Sequence, residues 1–180
     1  MKKLLENNTI LLRAPEPEDL DALYTWENDT DLWVLGASIT PFSRYTLREY
    51  LTNSTQDIYT DKQLRMMVEL KQSSEPIGTV DLYDFDPFHR RAGVGILIDP
   101  KFQKRGLGLQ ALELLEAYAF DFLKLQQLYA LVPEKNTASI RLFNKAKYAL
   151  AGKLTDWISA NNGFENAQLL QKINMNRDSR

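Results

Sequence analysis

The sequence predicts a mixed α/β fold in which a mostly antiparallel, twisted sheet of about seven strands is flanked by about four helices. Three observations predict it. Seven short runs read as strands, four longer segments read as helices, and three of the strands follow one another as an antiparallel meander. With 180 residues, 44% of them hydrophobic, the chain can bury one sizeable core, so we expect a single domain over residues 1–180.

The first half of the chain is expected to supply four strands and two helices. A proline and acidic residues after the first strand are typical of the start of a helix. Glu75-Pro76 is expected to form the turn between the second and third strands, and Pro100 to end the fourth. The predicted strands are 9–13, 64–70, 77–83 and 90–98, with helices near 20–28 and 45–53, and a loop at 84–88.

The second half is expected to supply two helices and three strands. Residues 108–123 are apolar on most sides, which is typical of a helix packed against a sheet. Asn136 begins a second helix that runs to about residue 145. Asn162-Gly163 is a hairpin turn signal between the last two strands. The predicted strands are 128–132, 148–154 and 164–173, and residues 174–180 are expected to fray.

The composition excludes several classes of function. With 22 basic and 24 acidic residues the net charge is −2, so no field of one sign favours nucleic acid or an anionic membrane. The chain has no cysteine, which excludes disulfides, thiol nucleophiles and thiolate metal sites. The N-terminus becomes polar too soon for a signal peptide, and no uncharged apolar run reaches about 18 residues. We therefore expect a cytoplasmic protein that binds no metal.

The most informative motif is the segment Gln-Lys-Arg-Gly-Leu-Gly at 103–108, between a predicted strand and a long helix. Such a turn directs backbone N–H groups at one place, with the helix dipole behind them, which favours phosphate. A Gly-x-Gly alone is equally typical of an ordinary turn. Other phosphate motifs fit badly, because no Gly-x-x-x-x-Gly-Lys-Ser/Thr occurs and Ala111 stands at the third glycine of the dinucleotide fingerprint.

Several motifs together resemble one family. They are Arg90-Arg91-Ala92, Ile98-Asp99-Pro100, the 103–108 segment, Glu134 to Ser139, and Leu142-Phe143. In this order they resemble the GNAT superfamily of N-acetyltransferases, in the branch of bacterial spermidine/diamine and ribosomal-protein N-acetyltransferases. The resemblance covers about residues 9–173. It implies a GNAT-type fold and acetyl-CoA as co-substrate.

The resemblance also implies cofactor roles. The strand end at 96–98 pairs by backbone with the pantetheine arm, and the 103–108 loop wraps the pyrophosphate. Asn136 hydrogen-bonds the pantetheine, although Asn is also a favoured N-cap. Ser139 lies close by or is merely an exposed polar residue, and Phe143 packs against the arm. The implied cofactor-binding residues are Ile96, Leu97, Ile98, Gln103, Lys104, Arg105, Gly106, Leu107, Gly108, Asn136, Ser139 and Phe143.

Acyl transfer to an amine requires a neutral nitrogen, and deprotonating an alkylamine costs about 4–5 kcal/mol at pH 7. A carboxylate or ordered water can act as the base. Asp81 is the first candidate, acting through water, and Glu69 is the second, although a strand carboxylate facing solvent explains Asp81 equally well and Glu69 better. Tyr83 could orient substrate or belong to the core.

Two departures from the family bear on chemistry and substrate. Phe143 stands where the family often carries a tyrosine that protonates the thiolate, and Tyr148, Tyr129 or water are the substitutes. Spermidine acetyltransferases carry two glutamates where this chain has Leu35-Gly36. We expect a small, diamine-like amine as acceptor. The alternatives are a protein N-terminus, a CoA-binding module with weak or no catalysis, or another phosphate ligand. A homodimer through the last strands is possible.

Overall fold

The computed structural model describes residues 4–33, 40–55, 57–160 and 163–175. Within them, seven strands form one sheet in the order β1-β2-β3-β4-β5-β7-β6. Only β4 and β5 pair in parallel, and the other neighbours are antiparallel. The predicted fold class is therefore confirmed. The strands are β1 (Ile10–Arg13), β2 (Leu64–Leu70), β3 (Glu75–Asp86), β4 (Arg91–Ile98), β5 (Gln127–Pro133), β6 (Ala149–Ala160) and β7 (Gly163–Ile173).

Six α-helices accompany the sheet, two more than the sequence predicts. The additions, α2 and α4, are single turns of four residues, too short to show a periodic apolar pattern. A π-helical turn, Tyr118–Phe122, continues α5. The helices are α1 (Leu20–Glu27), α2 (Thr30–Trp33), α3 (Arg44–Asn53), α4 (Ile58–Asp61), α5 (Leu107–Ala117) and α6 (Thr137–Lys145).

Some predicted boundaries were wrong. β3 extends through most of the predicted 84–88 loop, because Asp86 pairs with Arg91 after an irregularity in the ladder. β6 runs six residues past the predicted end at 154, to Ala160, because the hairpin keeps pairing up to Gly163. Of the predicted turn, Gly163 has φ 123°, a value that favours glycine, whereas Asn162 lies outside the described residues, as do 176–180 of the predicted tail.

The two faces of the sheet are covered by different helices. On β2 the side chains alternate: Met66 and Val68 join the large core under α5 and α6, whereas Met67 joins a small cluster with Leu23 and Trp26 of α1. We call these the α5 face and the α1 face. No helix within the described ranges is long and apolar enough to cross a membrane.

The sheet is split where its parallel pair ends. β4 and β5 pair only from Arg91 to Gly93, against Gln127 to Tyr129. Beyond that point β4 stays paired with β3 as far as Ile98, and β5 stays paired with β7 as far as Pro133. The stretch 94–98 of β4 therefore faces 130–133 of β5 across a gap, which we call the opening.

Candidate active site

The opening exposes backbone groups on β4. The Asp99 N–H donates to the Ile77 carbonyl at 2.8 Å, and this bond determines which residues of β4 form backbone hydrogen bonds with β3. Because antiparallel pairs alternate, the peptide groups of Gly95 and Leu97 face β3, whereas those of Val94, Ile96 and Ile98 face the opening. Of the predicted run 96–98, the two outer residues thus present a free strand edge, and Leu97 directs its side chain to the α1 cluster.

The predicted phosphate loop lies at the wide end of the opening. Lys104 and Gly106 both have positive φ, 62° and 75°, so the chain turns sharply before Leu107 begins α5. A Cβ added to Gly108 would lie 3.5 Å from Ile98 and 3.6 Å from Leu142. The loop therefore meets the end of β4 and helix α6 at one place, with the first N–H groups of α5 pointing away from the helix.

Polar side chains of the loop hold it against β4. Gln103 donates from Nε2 to the Ile98 carbonyl at 2.8 Å. Arg105 donates to the Lys101 carbonyl at 2.9 Å and stacks over Phe102, 5.3 Å from the ring centroid. Lys104 and Arg105 are exposed, so two cations flank the helix N-terminus. This arrangement can bind a pyrophosphate by charge and by N–H groups together.

Helix α6 borders the opening from the other side. The Asn136 side chain caps it by accepting from the Ser139 N–H at 3.1 Å, which leaves the Nδ2 group as the donor that a ligand could use. Ser139 is half-buried in the first turn. Phe143 is buried and meets Tyr148 edge-on, with ring centroids 4.9 Å apart. Asn136 and Ser139 thus lie near the opening, whereas the side chains of Leu97, Leu107 and Phe143 pack into hydrophobic clusters.

Asp81 lies on the α1 face beside β4. Arg65 donates from Nε to Asp81 Oδ1 at 2.7 Å and from a terminal nitrogen to Glu27 Oε1 at 2.5 Å. We call these three residues the Arg65 cluster. Burial opposes the charge on Arg65, but the attraction of Asp81 and Glu27 outweighs it and raises the pKa of the guanidinium. With Arg65 a cation and both partners carboxylates, the cluster carries a net charge of −1.

Gly95 lies next to that cluster. It pairs in register with Asp81, and a Cβ built on it would lie 3.4 Å from Asp81 Oδ2. Gly95 is half-exposed. A cavity of about 510 Å³ adjoins Arg65 and is also lined by Glu49, Tyr50 and Asp61. An acceptor molecule could therefore approach β4 from the α1 face, past the carboxylates.

The second predicted base is placed elsewhere. Glu69 accepts from Arg13, whose guanidinium also donates to Asp19 at 2.7 and 2.9 Å. We call these three residues the Arg13 cluster. Its members come from β1, the turn before α1, and β2, whereas Asp81 comes from β3. The structure thus separates the two candidate carboxylates, and whether either acts as a base stays a prediction.

Tyr148 is buried in a different polar group. Its hydroxyl lies beside the Glu116 carboxylate, and Lys172 donates to Glu116 at 2.5 Å. Burial, and then the Glu116 charge, raise the pKa of Tyr148 far above its usual value. Burial likewise raises the pKa of Glu116. The predicted catalytic role of Tyr148 is untested, but the proton on its hydroxyl is firmly held.

Sequence reasoning missed Arg65 and Gly95. A signal existed for Arg65, since a lone cation between apolar neighbours in a strand requires an anionic partner when it is half-buried. Its partners lie 16 and 38 residues away in the sequence, so no local sequence pattern identifies them. Leu35 and Gly36, at the positions where the resemblance implies two glutamates, lie outside the described residues. Among the described residues no group of three metal-ligating side chains occurs.

Comparison with known proteins gives consistent results. A family model described as acetyltransferase (GNAT) domain matches residues 9–149. Spermidine N(1)-acetyltransferase of Escherichia coli K12 is 28% identical over 160 residues, which span 89% of this chain and 83% of that protein.

Two solved structures share the fold. One is spermidine N-acetyltransferase from Vibrio cholerae in complex with CoA and spermine, with TM-score 0.82 and 23% identity over 93% of this chain and 97% of that one. The other is ribosomal-protein-S5-alanine acetyltransferase from Vibrio fischeri, with TM-score 0.83 and 18% identity over 97% and 98% of the two chains.

Proposed function

The chain belongs to the GNAT acetyltransferase family and is an N-acetyltransferase, and from that premise we propose that it acetylates a primary amine of a small, cationic, diamine- or polyamine-like molecule. The family uses acetyl-CoA. One observation carries the choice of acceptor: the Arg65 cluster places two carboxylates, Asp81 and Glu27, beside the half-exposed Gly95 of β4. An alkylammonium group is attracted to these carboxylates.

We propose that backbone groups and cationic side chains bind most of the cofactor. The pyrophosphate binds at the N-terminus of α5, with Lys104 and Arg105 beside it. The pantetheine arm extends the free edge of β4, exchanging hydrogen bonds with Ile96 and Ile98, while Asn136 Nδ2 donates to it from α6. To reach Ile98, the arm displaces the Gln103 side chain from the carbonyl it now occupies.

The acceptor side is built from side chains. Asp81 and Glu27 place two carboxylates around one guanidinium, and an ammonium group is attracted to this acidic cluster. Asp81 faces Gly95, and a water bridging its carboxylate to the amine takes up the proton. The neutral nitrogen then attacks the thioester carbon. The tetrahedral intermediate collapses, the C–S bond breaks, and the thiolate leaves with a proton from a donor.

The names of similar proteins support this acceptor class. The relative from Escherichia coli is a spermidine acetyltransferase, 28% identical to this chain. The similarity to the ribosomal-protein enzyme is at the level of the fold, so a protein N-terminus is the second candidate acceptor. It requires less help from the site, because an α-amino group has a pKa near 7.7–8.0.

The deciding experiment measures release of CoA thiol with a panel of acceptors. The panel contains a polyamine, a diamine, a monoamine of equal chain length, and a short peptide beginning with alanine. We expect the polyamine and diamine to give the highest kcat/KM, falling as ionic strength rises. Faster reaction with the peptide transfers the proposal to protein N-termini. Tight CoA binding by calorimetry without turnover of any acceptor identifies a binding module.

We infer also that two copies associate through the β6–β7 hairpin in the cytoplasm. Leu150, Trp157 and Phe164 of that hairpin are between 57% and 66% exposed, which is unusual for large apolar side chains in a protein that works alone. A relative from Vibrio cholerae is described as dodecameric. Light scattering of the wild type and of Trp157→Ser with Phe164→Ser tests this, with a monomeric wild type contradicting it.

A further inference from the structure

A tyrosine occupies the closed end of the opening. Tyr83, Gly93 and Tyr129 stand side by side in register on β3, β4 and β5. Gly93 is the last residue of β4 that pairs with β5. The two tyrosines meet edge to face across it, with ring centroids 6.0 Å apart. The aromatic pair thus marks the point at which β4 and β5 separate.

The outer half of the Tyr83 ring lies directly over Gly93. A Cβ built on Gly93 would come within 2.3 Å of Tyr83 Cε2 and Cζ, so no other residue fits there without moving the ring. The hydroxyl therefore points past β4 toward β5. It faces the backbone N–H of Leu131, two residues beyond Tyr129 and already within the unpaired part of β5. The phenol oxygen thus reaches the opening itself.

We propose that Tyr83 is the acid that protonates the departing CoA thiolate in this enzyme. The inference rests on the proposed function above. If the pyrophosphate is at the loop and the arm follows β4 inward, the thioester is at the far end of the arm. From Ile98 to Gly93 the strand covers about 17 Å, so the sulfur approaches the closed end, where the Tyr83 hydroxyl lies.

The proton balance closes with groups at hand. The ammonium group first loses one proton through water to Asp81 and on to solvent, and the neutral nitrogen then forms the C–N bond and loses its second proton by the same route. As the C–S bond breaks, the sulfur takes the electron pair and the Tyr83 O–H proton, giving neutral CoA thiol. Tyrosinate then recovers one of the two protons released by the amine, through solvent, so the enzyme is restored and one proton is released overall. Until it does so, the Leu131 N–H can stabilise the phenolate oxygen.

Other hydroxyls fit this role less well. Phe143 has none, and the Tyr148 hydroxyl lies beside the buried Glu116 carboxylate. The Tyr129 hydroxyl is turned toward Asp84, 3.4 Å away. Burial raises the pKa of Tyr83 above its usual value, with the Asp84 charge adding to the rise and the Leu131 N–H opposing it. The Tyr83 proton is therefore present across the neutral range.

The test uses Tyr83→Phe, which keeps the ring over Gly93. With acetyl-CoA we expect kcat to fall about 100-fold while CoA affinity, measured by calorimetry, changes less than twofold. The second substrate is an acetyl-CoA analogue that carries fluorine on the carbon next to the one bonded to sulfur, so that its thiol is more acidic. With this analogue the variant should recover most of its rate, because a weakly basic thiolate leaves without an acid. Tyr59→Phe, a tyrosine packed on Phe85, is the matched control.

The outcomes separate the two proposals. Equal rates of the wild type and Tyr83→Phe with acetyl-CoA overturn the assignment of Tyr83 and leave the proposed function intact. An equal loss with both thioesters means that Tyr83 only positions the strands, and also overturns it. A wild type that transfers acetyl to no amine removes the proposed function and this inference together. A fluorinated tyrosine at position 83 provides a second test. Fluorine makes the phenol more acidic, so the decline of kcat at alkaline pH should shift to lower pH.

Discussion

Two arginine clusters on the same face of the sheet have the same composition but different surroundings. Each joins one arginine on a strand to a carboxylate from the next strand and a second carboxylate from α1 or the turn before it. In the Arg13 cluster, Asp19 is 3% exposed and also accepts from the Glu16 N–H at 2.8 Å. In the Arg65 cluster, Asp81 stands beside the half-exposed Gly95.

From this comparison we infer that the surroundings of the two clusters, and not their composition, give them different roles. β2 carries Glu69 near one end and Arg65 near the other. Arg65 pairs in register with Asp81 of β3, and Asp81 pairs with Gly95 in the part of β4 that has a free edge. The Arg13 cluster ties β1 and β2 to the start of α1. We therefore expect changes in one cluster to lower stability and changes in the other to lower activity.

The largest expected effect separates the two candidate bases. Asp81→Asn should lower kcat/KM for a polyamine about 1000-fold, equivalent to about 4 kcal/mol, because the water beside Gly95 loses its proton acceptor. Glu69→Gln should lower it less than threefold. Thiol release at pH 7 measures both. An unchanged rate in Asp81→Asn, or equal losses in the two variants, would remove the distinction between the clusters.

The next effect concerns stability. Arg13→Met leaves Asp19 buried without its cation, and we expect it to lower the free energy of unfolding by about 3 kcal/mol. Activity per folded molecule should stay within twofold. Urea unfolding followed by circular dichroism gives the first quantity, and activity at a temperature well below the transition gives the second. A stable but inactive Arg13→Met would reverse the roles of the clusters.

A smaller effect tests the net charge next to Gly95. Glu27→Gln brings the Arg65 cluster from −1 to neutral while keeping a hydrogen-bond acceptor for Arg65. We expect KM for a polyamine to rise about tenfold, with kcat changed much less, because ground-state attraction is lost and Asp81 remains. A monoamine should be affected less than the polyamine. If kcat falls and KM stays constant, Glu27 acts on the chemistry and not on attraction.

The smallest effect comes from an ion pair outside either cluster. Arg44 of α3 pairs with Asp21 of α1, but the two side chains are 53% and 83% exposed. Water screens such a pair, so Arg44→Met should leave the free energy of unfolding unchanged within the error of the measurement. The same urea titration used for Arg13→Met checks this. A loss near that of Arg13→Met would mean that exposure does not distinguish these arginines.

Much of the fold could be predicted from local patterns. β2 was predicted with both ends correct, and α1, β4 and α6 to within a residue or two, because each carries its own apolar period and ends at its own proline, asparagine or charged turn. Predictions failed where pairing with another segment decides the end of an element. β3 and β6 run past their predicted ends because partner strands continue to accept their hydrogen bonds.

The sequence by itself determined the turn at Gln103 to Gly108, because these residues are contiguous and the conformation of a glycine turn before a helix is a local property. Only the tertiary structure decided which carboxylate faces Gly95, which arginine holds it, and where the Tyr83 hydroxyl lies. Those facts depend on the register of three neighbouring strands, and register is set by contacts between residues far apart in the chain.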